Sequence, residues 1–179
     1  MRHALTRTVF AILAMSLGFS AYGADKKGGD GGASRGDREF VQKALEDGAT
    51  EVELGKLAQA KGTSDVVKQF GQRMEADHAK AGEELKGLAG TAGAMPKKEG
   101  PKQSAVKELS KKSAKRFDHE YAEAMVDMHQ KAVKLFRKQA DKGDNAELKQ
   151  FAAKTLPTLE EHLKMARDLK KQVGEKRKS

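Results

Sequence analysis

The chain contains no cysteine. This excludes disulfides, thiolate metal ligands, a thiol nucleophile and a leader lipidated on cysteine, so stability has to come from packing alone. No apolar stretch reaches the roughly 20 residues that a membrane-spanning helix needs. No segment alternates apolar and polar residues as a strand does, and the sequence holds no Gly-rich phosphate loop, no H-E-x-x-H and no plausible Ser-His-Asp arrangement. What remains is helical periodicity, a basic charge balance and a small set of histidines.

The longest apolar run, Val9 to Phe19, follows a basic start (Arg2, Arg7) and precedes the small residues Ala21 and Gly23. That is the pattern of a secretory signal peptide over residues 1–23, cut before Ala24, and it predicts a periplasmic protein. Lysine and arginine number 35 against 26 acids, a formal charge of +9; removing residues 1–23, which hold Arg2 and Arg7 and no acid, lowers it to +7. Export makes nucleic acid the least expected partner of this basic surface. Lys170-Lys171 and Lys176-Arg177-Lys178 form a cluster at the end of the sequence. A basic adaptor docking acidic envelope polymers through Lys170 to Ser179 is one reading, and a solvated basic tail is the plainer one.

Residues 24–37 are rich in Gly, Asp, Lys and Ser, which bury little apolar area, and they read as a flexible linker. The folded domain is expected over 38–173, with a basic tail over 174–179. Four stretches of period near 3.6 predict helices at 38–60, 64–89, 117–141 and 145–172. Thr63 or Ser64 is expected to cap the second, Gly143 to take the left-handed conformation after the third, Asp144 with Glu147 to cap the fourth, and Pro157 to kink it. Between the second and third helices lie Pro96, Pro101 and a helix-prone polar piece, Ser104 to Arg116, with a break expected near Ser110 to Ser113. So long a connection can cross the bundle from end to end, as in ferritin-like folds. The predicted class is all-α, a four-helix ferritin-like bundle.

At 100° per residue His78 falls within the apolar seam of the second helix (Val67, Phe70, Met74, Leu85). His129 and Asp118 lie within about 40° of Met125 in the third, and His162 about 60° off Leu159 in the fourth. Glu51 flanks the stripe Val41, Leu45, Gly48 of the first. Measured from helix midpoints, Glu51, His78 and His129 share one level, with His162 about one turn away. Imidazole and carboxylate together suit a transition-metal ion such as zinc, iron or copper, and facing helices of a bundle build such sites. Glu51, His78, His129 and His162 are therefore the candidate ligands, with Glu75 and Asp77 as the carboxylates that would orient them. The competing reading is a set of buried histidines satisfied by neighbours and serving only helix register. Asp118 and Tyr121 read as a hydrogen-bonded structural pair at one end of the core. Met74, Met125, Met128 and Met165 read as core filler.

The segment Glu51-Val52-Glu53-Leu54-Gly55-Lys56-Leu57-Ala58, Met74 with Asp77-His78, Phe117-Asp118 with Tyr121, His129, and Leu156-Pro157-Thr158-Leu159 with His162-Leu163 resemble, in this order, the bacterial domain of unknown function 4142. The resemblance covers about Phe40 to Leu169. It implies an exported all-helical domain grouped with the ferritin-like bundles, without an established activity, whose recurrent polar positions are Glu51, Asp77, His78, Asp118, Tyr121, His129 and His162. A second Glu-x-x-His is missing, which departs from di-iron enzymes. The leading expectation is a non-enzymatic periplasmic or envelope-associated bundle with a structural polar core, used in stress adaptation; the alternatives are a transition-metal-binding protein and the basic adaptor.

Overall fold

In the computed structural model, residues 32–98 and 100–176 are described. The expected signal peptide and most of the linker lie outside them. The described residues form five helices and no strand: α1 (Arg35–Lys61), α2 (Asp65–Thr91), α3 (Gln103–Ser110), α4 (Ala114–Lys142) and α5 (Ala146–Lys176). The count exceeds the expected four because the polar piece after Pro101 forms the short helix α3, separated from α4 at Lys111 to Ser113. None of these helices is long and apolar enough to cross a membrane.

α1 begins inside the segment expected to be linker. Ser34 and Asp37 form a reciprocal capping box, each side chain accepting from the other's backbone amide, which supplies the start signal that Gly-rich composition obscured. At the other end α5 runs to Lys176, beyond the expected tail boundary, because Val173 is still buried. Two cap expectations need correction. Gly143 is extended (φ −63°) rather than left-handed; a Cβ there would lie 2.7 Å from the Gln139 carbonyl oxygen, so glycine serves a close approach. Asn145, not Asp144, caps α5, its side-chain oxygen accepting from the Leu148 amide at 3.0 Å. α5 continues through Pro157, whose missing donor falls on an exposed turn.

α1 and α2 form one antiparallel hairpin, α4 and α5 the other. The Ala33 amide donates to the Ala92 carbonyl, which sets the start of α1 beside the end of α2. Asp118, in the first turns of α4, meets the α1–α2 turn, and Gln139 near the end of α4 reaches Asp37. The connection from α2 to α4 therefore runs the length of the bundle. It lies along α1, where the Lys102 amide donates to Thr50 Oγ1 at 2.8 Å and Lys61 Nζ bonds the Ser110 carbonyl. In consequence α2 and α4 run parallel. Apolar packing divides into two clusters, one around Phe40, Leu85, Phe136 and Phe151, the other around Leu54, Phe70, Phe117 and Met125. The polar layer lies between them.

Candidate metal centre

His78, His129 and His162 come from α2, α4 and α5, and all three are buried. Their ring centroids form a near-equilateral triangle with sides of 5.5, 5.5 and 5.4 Å. One ring nitrogen of each lies within 4.8 Å of those of the other two. His78 Nε2, His129 Nε2 and His162 Nδ1 are buried without a hydrogen-bond partner. An ion held at the usual 2.0–2.1 Å in tetrahedral geometry needs ligand nitrogens about 3.3 Å apart, which modest ring rotations can reach from this spacing.

The opposite nitrogen of each ring has an outward neighbour. His129 Nδ1 donates to the Met125 carbonyl at 2.9 Å, which fixes the tautomer and leaves Nε2 a bare lone pair. His162 Nε2 donates to Asp77 Oδ2 at 2.9 Å, leaving Nδ1 bare in the same way. Asp77 is itself braced by Arg73 Nε at 3.3 Å, and Arg73 also reaches Glu161 at 3.1 Å. His78 Nδ1 lies 3.3 Å from Glu51 Oε2, while Glu51 Oε1 is 3.5 Å from His129 Nδ1. Orientation of imidazole ligands from outside by carboxylates and carbonyls is the arrangement metal sites use.

Burial sets the charge state of the layer. Desolvation raises the Glu51 carboxyl to about 8, helped by the nearby Asp47 charge and opposed by Lys102. It lowers His129 to about 4, against the opposing bond to Met125. His78 is pushed well below its ordinary value by burial and then by the other two histidines, and His162 is lowered by burial despite the Asp77 bond. At neutral pH the three rings are thus neutral, the form that binds metals.

The four candidate ligands do meet in one layer, with Glu51 beside the histidines' outward nitrogens rather than among the converging ones. Asp77 supports His162. Glu75 does not join this layer; it accepts from Gln59 Nε2 at 2.6 Å, because its position on α2 faces α1. Asp118 and Tyr121 do not pair as expected. Asp118 accepts from the Thr63 and Ser64 amides at 2.9 and 3.0 Å and from Thr63 Oγ1 at 2.6 Å, holding the α1–α2 turn, while the Ser64 side chain makes no cap bond to α2. Tyr121 stacks on Phe117 with its hydroxyl buried and unpartnered. Sequence reading missed the Met125 carbonyl, which carries no side-chain signal, and the Arg73 brace, which its i, i+4 spacing to Asp77 made visible.

Three buried imidazoles converging inside an all-helical bundle define a helical protein with a candidate tri-histidine metal centre. The model of the domain of unknown function DUF4142 matches residues 23–169, and the chain belongs to that family. No curated protein matches the sequence. The fold is similar to the crystal structure of a DUF305 fragment from Deinococcus radiodurans, with a TM-score of 0.67 over 80% of this chain and 99% of that one. At 17% identity this likeness is one of fold.

Proposed function

We propose that this domain is an exported, ferritin-like metal-binding protein that holds one divalent first-row transition ion through His78 Nε2, His129 Nε2 and His162 Nδ1. The observation that carries the reading is the convergence of three buried ring nitrogens without partners. Most buried side-chain polar atoms find a partner, since an unpartnered one costs about 1–3 kcal/mol, and here three that lack one come from neighbouring rings of a single layer. The metal reading therefore takes precedence over the structural polar core. Glu51 and Asp77 orient His78 and His162, and the ion-binding chemistry supplied is that of storage or buffering. The sequence supports a periplasmic location through residues 1–23, and the family match begins where that leader ends.

The test is metal content by mass spectrometry on the mature, tag-free protein from the periplasm, with equilibrium dialysis against zinc and cobalt, beside a His78→Ala/His129→Ala variant. Close to one ion per chain, lost in the variant, is the expected result. Absence of binding, or binding that the variant retains, overturns the reading.

A further inference from the structure

A slot of about 50 Å³ lies against the histidine layer. It exists because small residues stand where the helices would otherwise fill the core: Ala44 and Gly48 on α1, Ala81 and Gly82 on α2, Ala132 on α4. Phe136, Phe151 and Leu159 make the rest of the wall largely apolar, and the rim includes half-buried Asp47 and exposed Thr158. The slot is lined by His78, His162 and Glu51, while His129 is not part of its wall. At roughly 10–15 Å³ for one water-sized occupant, the space admits a few atoms and no more.

Resting on the metal reading above, we infer that the centre is open rather than closed: the ion takes three protein ligands and exposes a further coordination position to this slot, which accepts a two- or three-atom exogenous donor. Three protein ligands leave a position that structural sites fill with a fourth side chain and reactive sites leave to water or substrate. No fourth histidine, cysteine or carboxylate belongs to the converging group among the described residues. Glu51 is turned to the outward nitrogens of His78 and His129. Apolar walls of this size exclude ordinary metabolites and leave room for water or a linear triatomic anion. The binding step is an exchange in which the incoming donor's lone pair replaces that of a bound water, with no change in oxidation state.

Cobalt(II) and azide are the probes. The protein is loaded with cobalt, its content measured by mass spectrometry, and the visible bands followed during azide titration in wild type, Gly48→Leu and Gly82→Leu. A Cβ at Gly48 meets His78 Nδ1 only at 4.0 Å and one at Gly82 meets nothing within 4 Å, so the helices accommodate either Cβ, and the cobalt content of each variant shows whether the rest of the side chain leaves the ligands in place. The wild type should show saturable band shifts, and either leucine should weaken azide at least tenfold while cobalt stays near one per chain. Cobalt bound near one per chain with bands that azide leaves unmoved overturns the open position alone. Azide binding equally tight in both leucine variants at full cobalt content overturns the slot as its route. Absence of cobalt binding overturns the metal reading beneath the inference.

Discussion

Replacing His129 by leucine separates a metal ligand from a structural polar residue, because the two roles predict opposite signs. His129 is completely buried. Its Nε2 has no partner, a defect worth about 1–3 kcal/mol, and leucine of similar volume removes it. The bond lost, Nδ1 to the Met125 carbonyl, is worth about 1 kcal/mol, and that carbonyl keeps its helical bond from the residue 129 amide. Glu51 loses a neighbour at 3.5 Å but is mostly uncharged at neutral pH. The balance makes chelator-treated His129→Leu more stable than chelator-treated wild type by about 1 kcal/mol. With a urea slope of about 2 kcal/mol/M, the unfolding midpoint followed by circular dichroism rises by roughly 0.5 M. Zinc at about 100 times its dissociation constant then adds roughly 2.7 kcal/mol to wild type alone and reverses the order. A leucine variant that is less stable without metal by about 1 kcal/mol or more would refute the reasoning, since it would show that the polar layer holds the fold together.

The metal-free protein should also lose stability as pH rises from 6.5 to 8. Glu51 has a folded pKa of about 8 against an ordinary 4.5, so the unfolded chain releases its proton first; over about 1.5 pH units this amounts to about 2 kcal/mol. The depressed histidines act below 6.5, where the unfolded chain gains protons that the folded one refuses, and they leave the upper window to Glu51. Urea midpoints of chelated wild type and Glu51→Gln at pH 6.5 and 8 test this, and an equal slope in both would count against it. At the α1–α2 crossing, a Cβ on Gly71 would lie 2.7 Å from both the Ala58 Cβ and the Gly55 carbonyl oxygen. Gly71→Ala should therefore lower stability by about 1–3 kcal/mol although alanine favours a helix. The denaturation midpoint decides, and an unchanged or raised value would mean that the hairpin separates easily.

The positions of His78 and His129 were legible because each sits near the middle of a long helix on a seam with clear 3.6 periodicity, whereas His162, expected about one turn away, lies in the same layer, 5.5 and 5.4 Å from the other two rings. The role of Glu51 was not legible, because periodicity places a residue on a face without saying which nitrogen of a facing ring it meets. Asp37 was hidden by its neighbourhood. Its carboxylate accepts from Gln139 Nε2 at 2.6 Å and from the Asn145 amide at 3.1 Å, both more than 100 positions away, and local Gly-rich composition carries no trace of such a partner. The same limit explains Asp118, whose acceptor role at the α1–α2 turn depends on the crossover and not on Tyr121 one turn along. The slot follows from small residues at positions 44, 48, 81 and 82, visible as letters but meaningful only once four helices face one another.

Asp37 and Asp118 also explain how the bundle tolerates three unpartnered nitrogens. Asp37, at the start of α1, ties down the α4–α5 turn, while Asp118, at the start of α4, ties down the α1–α2 turn. Each hairpin therefore clamps the turn of the other at opposite ends of the molecule. Between these clamps each half of the bundle has its own apolar cluster, and Leu163 packs against both. Apolar packing is thus concentrated on either side of the polar layer. Small metal-dependent domains fold only when the ion arrives, and their binding energy is consumed in ordering the chain. Here the rings are already oriented by Glu51, Asp77 and the Met125 carbonyl. On the metal reading proposed above, an ion entering the layer has ring rotations to impose but no chain to fold, so most of its binding free energy would go into affinity.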